Sequence, residues 1–209
     1  MVGRYAADMH SGTRPDPRTD APGSNRDRLV AAAQELFWAQ GVGATSPRQV
    51  LAASGVGQGS LYHHFPTKHD LAAAAVHATT AAGLDAARRD LGAEGSAVER
   101  LVRYLERPRP ALAGCKVGRL VSDQAVMDDP ALAAEVRTYF RGLVDLAAAV
   151  LVEGGLPDDA ARDRALAAVA VVQGGYVLAR ALDDPDAMTA AARGFVALLD
   201  PLPTTSEDA

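Results

Sequence analysis

His63 and His64 are neighbours in the run "GVGQGSLYHHFPTKHDL", Gly55 to Leu71, between Tyr62 and Phe65 and just ahead of Pro66. Side chains of these types can hold a metal, carry a proton, or donate to base edges and phosphates. A metal on a helix needs ligands three or four residues apart, on one face. Adjacent histidines diverge by about 100°, His69 lies beyond the proline, and the single cysteine, Cys115, is far away in sequence. No metal site is expected, and no cofactor. Ser60 and His64 are four residues apart, so a hydrogen bond between them is feasible. A nucleophile also needs an orienting group and an oxyanion hole, and nothing nearby supplies either, so no catalytic residue is assigned. Leu61 and Phe65, also four apart, read as the core side of a short helix. Gln58, Ser60, Tyr62, His63 and His64 remain as its outward set. They are small or flat donors and acceptors, suited to a major groove, and Gly57 and Gly59 let the backbone approach closely.

The surrounding pattern is helical. Ser24 and Asp27 have capping-box spacing ahead of Leu29, Val30, Ala33, Leu36 and Phe37, which recur at three and four residues. Gly41 and Gly43 end that helix. Ser46, Pro47 and Gln49 form a second start signal, Val50 and Leu51 face inward, and Gly55 supplies a left-handed turn. The short helix runs from Gln58 to His64 or Phe65. Thr67 and Asp70 open a fourth helix that reaches Gly92. Helix, glycine turn, short helix is the helix-turn-helix plan. Beyond it the spacing predicts helices over 96–107, 116–126, 130–152, 158–182 and 186–199. The fold class is therefore all-α, with about nine helices and no strand. The expected division is a weakly ordered arm over 1–23, a three-helix DNA-binding domain over 24–70, a larger helical body over 71–200 and a frayed tail over 201–209.

Bulk properties agree with this reading. Of the 209 residues 48% are hydrophobic and only 5% aromatic, a palette of Ala, Leu and Val for close-packed helices. Net charge is −5, so the whole chain is no generic polyanion binder. The charge is uneven: residues 1–72 hold seven Lys and Arg against six Asp and Glu, and four of the five histidines (His10, His63, His64 and His69). A near-neutral head on an acidic body suits a head that meets an anion. One cysteine excludes an internal disulfide. No apolar run approaches a membrane span and no signal core is visible, so a cytoplasmic protein with no membrane partner is expected.

The stretch "ATSPRQVLAASGVGQGSLYHHFPTKHDL" resembles the DNA-binding signature of the TetR/AcrR family of bacterial repressors, and the likeness extends from Arg26 to Leu71. The resemblance implies Thr45 and Ser46 against a phosphate, and Arg48 reaching a base or phosphate. It implies Gln58, Ser60 and His63 in the groove, Tyr62 and His64 on phosphates, and Lys68 on a phosphate at the start of the fourth helix. Gly57 stands where the family usually caps with Ser, and Gln58 where Lys is common. The first change weakens the cap by at most a few tenths of a kcal/mol. The second removes a charge, although Gln can read adenine.

For the body the resemblance implies a homodimer on a palindromic double-stranded operator, and a small effector among the middle helices that moves the fourth helix. Candidate pocket residues are Leu101, Tyr104, Leu105, Cys115, Leu120, Phe140, Val144 and Gln173, with Tyr104 and Gln173 orienting a polar group. Because no charged residue stands out among them, a fairly apolar effector is expected. The candidate dimer face comprises Val172, Gly175, Tyr176, Ala179, Phe195 and Leu198. "GCKVG", Gly114 to Gly118, is similar to a stretch found in one subset of these repressors. Cys115, with Lys116 beside it to stabilise a thiolate, raises the alternative of a redox-responsive regulator. A ligand-independent DNA-binding protein is a further alternative, disfavoured by the lack of a basic surface.

Overall fold

A computed structural model describes residues 23–199. The expected arm, Gly23 apart, and the expected tail lie outside the described residues. Among those described, every regular element is helical, with ten α-helices and one 3-10 turn.

Local start and stop signals set the first four helices. Helix α1 (Asn25–Gln40) is capped by Ser24, whose hydroxyl accepts the Asp27 N–H; the return bond of a capping box is not made. Helix α2 (Pro47–Ser54) begins with a complete box between Ser46 and Gln49. It ends at Gly55 with φ 64°, where a Cβ would be strained. Helix α3 (Gln58–His64) follows from Gly57, which offers no side-chain cap. Helix α4 (Lys68–Leu91) opens with a complete box between Thr67 and Asp70. Each such cap contributes about 1 kcal/mol. Leu29, Ala33, Phe37, Val50, Val56, Leu61 and Phe65 are buried, and they lock α1 to α3 into one head.

The body comprises α5 (Ala97–Glu106), the 3-10 turn Ala111–Ala113, α6 (Lys116–Val121), α7 (Gln124–Met127), α8 (Pro130–Glu153), α9 (Asp158–Leu182) and α10 (Asp186–Ala197). Helix α4 packs on both α1 and α8, α8 on α9, and α9 on α10. The continuous helix expected over 116–126 is two helices. Asp123 divides them, its Oδ1 accepting the Ala125 N–H at 3.0 Å and restarting the chain as α7. Aspartate is a weak helix-interior residue and a strong cap.

Helix α9 is, among the described residues, long and apolar enough to cross a membrane by length and composition alone, which the sequence reading did not anticipate. It carries one buried face, Ala161, Ala165, Ala168, Val172, Gly175 and Ala179, that packs inside the protein.

Candidate nucleic-acid interface and effector cavity

The head displays the outer side of α3. Leu61 and Phe65 are buried, whereas Gln58, Gly59 and His63 are exposed and Tyr62 is 48% exposed. Ser60 and His64 are half-buried. The His63 and His64 rings meet edge to face, 5.2 Å apart, and Arg26 covers the Phe65 ring at 5.5 Å. Among the described residues no three His, Cys, Asp or Glu side chains gather into a group that could hold a metal.

Around α3 lie two capped helix starts. Ser46 is exposed and Arg48 points to solvent at the start of α2. Lys68 is exposed at the start of α4, and its Nζ donates to Gly43 O at 3.2 Å. That bond ties the loop before α2 to the first turn of α4 and sets an ammonium group at the start of that helix. Such an arrangement suits a phosphate. Thr45 departs from the family expectation. It is 2% exposed, and its hydroxyl donates to Gly41 O at 2.7 Å. It holds the loop together and presents no side-chain surface to a phosphate.

The head is fastened to the body along α1. Asp123 Oδ2 accepts the Val42 N–H at 2.5 Å and the Gly43 N–H at 3.4 Å. Trp38 Nε1 donates to Gly114 O at 3.2 Å. Lys116 Nζ pairs with Glu35 at 2.6 Å and covers the Trp38 ring at 4.6 Å. The Lys116 ammonium is thus committed to α1, which removes the support expected for a Cys115 thiolate. Cys115 itself caps α6, its sulfur accepting the Gly118 N–H at 3.2 Å.

Behind this junction lies a cavity of about 360 Å³, bordered by segment 114–122, Phe140 of α8 and one face of α9. Gln173, Tyr176, Val177 and Arg180 are spaced i, i+3, i+4 and i+7, and so form that face. The Gln173 amide reaches Cys115 Sγ at 3.7 Å. A Cβ at Gly118 would lie 2.5 Å from Gln173 Oε1, so a side chain there would displace the Gln173 amide from its present position. Burial pushes the Tyr176 phenol up to about 12, and it stays neutral. Of the eight pocket candidates, Cys115, Phe140 and Gln173 border the cavity. Leu101, Tyr104, Leu105, Leu120 and Val144 do not; they are buried in the core. Burial also holds the Tyr104 hydroxyl up at about 12.

Sequence reasoning missed Arg119 and Arg180, which both border the cavity. The lining of this cavity therefore carries charge, which the expected pocket residues did not. Arg180 was visible as the one charge late in an apolar helix, but its direction depends on how α9 packs. Arg119 and Arg180 also border a second, polar cleft of about 530 Å³ that runs to Gly41 and Ala44 at the base of the head.

Of the dimer candidates, Val172, Gly175 and Ala179 are buried inside the protomer, and a Cβ on Gly175 would meet Met188 of α10. These three offer no surface to a second chain. Tyr176 and Phe195 are half-buried, and Leu198 is 80% exposed. The outward apolar side of α9 away from the cavity consists instead of Leu166, Ala170, Leu178 and Leu182, with Leu182 64% exposed. Sequence alone could not separate the two sides, because α9 is apolar nearly all round.

A helix-turn-helix head with its second helix displayed, fastened to a larger helical body, defines a DNA-binding transcriptional regulator. Residues 29–75 match the profile of the bacterial regulatory proteins of the tetR family. Residues 96–194 match that of the C-terminal domain of LmrA/YxaF-like transcriptional regulators. The chain is 30% identical over 171 residues to the HTH-type transcriptional regulator Rv0196 of Mycobacterium tuberculosis, spanning 76% of this chain and 86% of that one. It is 27% identical over 163 residues to the HTH-type transcriptional regulator YxaF of Bacillus subtilis, covering 75% and 85%. The crystal structure of a TetR transcriptional regulator from Chloroflexus aurantiacus superimposes with a TM-score of 0.74 at 25% identity, over 85% of this chain and 94% of that chain. The chain belongs to the TetR family of transcriptional regulators.

Proposed function

We propose that this regulator is a homodimeric repressor that reads a palindromic operator with α3 and releases it when a small effector fills the cavity behind α6. The observation that carries the reading is the division of α3. Leu61 and Phe65 anchor it, while Gln58, Tyr62 and His63 face outward between two capped helix starts. In this reading Gln58, Ser60 and His63 face bases, with Gly59 allowing close backbone approach. Ser46, Arg48, Tyr62, His64 and Lys68 meet phosphates.

A single seven-residue reader gives little affinity, so a second copy is required. The outward apolar side of α9, together with Leu198 after α10, supports a dimer face. Exposed apolar residues contiguous along a helix mark an association surface. Effector release has a physical route as well, since the cavity wall 114–122 leads directly into Asp123, which holds the loop after α1.

Incubation of the purified protein with a random-sequence duplex pool at moderate salt tests the proposal. Enrichment of an inverted repeat is expected. A single asymmetric site would overturn the dimer, and no enrichment would overturn sequence-specific reading.

A further inference from the structure

We infer that the effector is an amphipathic organic anion, its apolar body in the cavity and its negative group between Arg119 and Arg180. The inference rests on the proposed effector reading and adds a chemical class to it.

The cavity of about 360 Å³ suits a body of one or two rings. Most of its wall is apolar: Phe140, Val121, Val177 and the Tyr176 ring. The two guanidinium groups stand where the cavity meets the polar cleft, and both border both spaces. They enter from different elements, α6 and α9, so a group between them would touch two helices. Neither has a carboxylate partner among the described residues, where the ion pairs involve other cations. The only side-chain hydrogen bond made by Arg119 among the described residues is a long one, Nη2 to Ala39 O at 3.4 Å. Asp123 lies in the polar cleft, but backbone N–H groups of Val42, Gly43 and Ala125 occupy its carboxylate. Tyr176 stays neutral and so does not cancel the positive charge. Two unpaired guanidinium groups at one end of an apolar cavity select a carboxylate or similar anion.

The position of Arg119 gives the anion a consequence. An anion that draws Arg119 toward the cavity takes it from the Ala39 carbonyl, in the last turn of α1. The ligand charge therefore acts on the helix that carries the reading head.

Calorimetric titration with 1-naphthoate and its neutral isostere 1-naphthamide tests the inference. The natural protein is compared with Arg119→Gln, Arg180→Gln and the double variant, with Arg180→Lys as the conservative control. Naphthoate is expected to bind about tenfold or more tighter than the amide. Each single variant should shrink that ratio and the double variant should abolish it, the loss falling mainly on the acid. Arg180→Lys should retain part of the preference. Equal binding of acid and amide, or a preference that survives the double variant, would overturn the anion and leave the cavity as an effector site. Binding of neither compound would overturn both the anion and the cavity as effector site. The operator reading would stand apart, because the random-pool selection tests it independently.

Discussion

Asp123 Oδ2 accepts the Val42 N–H at 2.5 Å, across 81 positions of sequence. One carboxylate thereby holds the loop after α1, caps α7 through Ala125, and ends the segment that walls the cavity. Asp123→Ala should lower unfolding free energy by about 1.5–3 kcal/mol, the range for hydrogen bonds to a charged group. Urea denaturation measures it. The effector should also lose part of its influence on DNA binding, because the head is no longer tied to the cavity wall.

Lys68 stands exposed at the start of α4, and its ammonium reaches Gly43 O. Lys68→Ala should weaken binding to all duplexes about equally and lower the salt slope by about one. Anisotropy titrations from low to moderate salt check this. A loss confined to one sequence would contradict the phosphate role.

Leu178 and Leu182 are exposed on α9 and contribute little to the protomer core. Replacing both with Glu should leave the helical content intact and halve the mass measured by sedimentation. Unchanged mass would place the dimer face elsewhere.

Acid should loosen three helix starts together. Asp70 is held below the usual carboxylate range by its bonds from the Thr67 hydroxyl and backbone, Glu99 by those from Ser96, and Asp129 by N–H groups of Leu132 and Ala131. Each group has a lower pKa folded than unfolded, so its stabilising effect is present above the unfolded pKa, about 4. It is lost as pH falls from there through the folded value. Unfolding midpoints should therefore change little on this account from pH 7 to 5 and drop below about pH 4. Asn at 70 and 129 with Gln at 99 should flatten that drop.

Much of the head was legible because local chemistry dictates it. Ser46 with Gln49, Thr67 with Asp70, Gly55 and the Leu61–Phe65 pair each act within four residues, and a sequence window contains them whole. The body was legible as helices but not as a site. Asp123 looked like one more helical residue, because its partners Val42 and Gly43 lie in another domain. Thr45 carried a family role that burial denies it. Val172, Gly175 and Ala179 were placed on the wrong side of α9, since an all-round apolar helix does not declare which side meets α10. Arg119 and Arg180 border one cavity only through the tertiary placement of α6 and α9, which no spacing within either helix encodes.

The central claim is that the outer face of α3 reads bases in two symmetric half-sites. Random-pool selection by the natural protein and by Gln58→Ala, run side by side, tests it most directly. The natural protein should enrich an inverted repeat, its half-site centres about one helical turn or a multiple apart. Gln58→Ala should relax the same position in both half-sites, at about 1–3 kcal/mol of discrimination. An identical motif from both proteins would contradict base reading by Gln58, and no repeat from either would contradict the account of α3 as a whole.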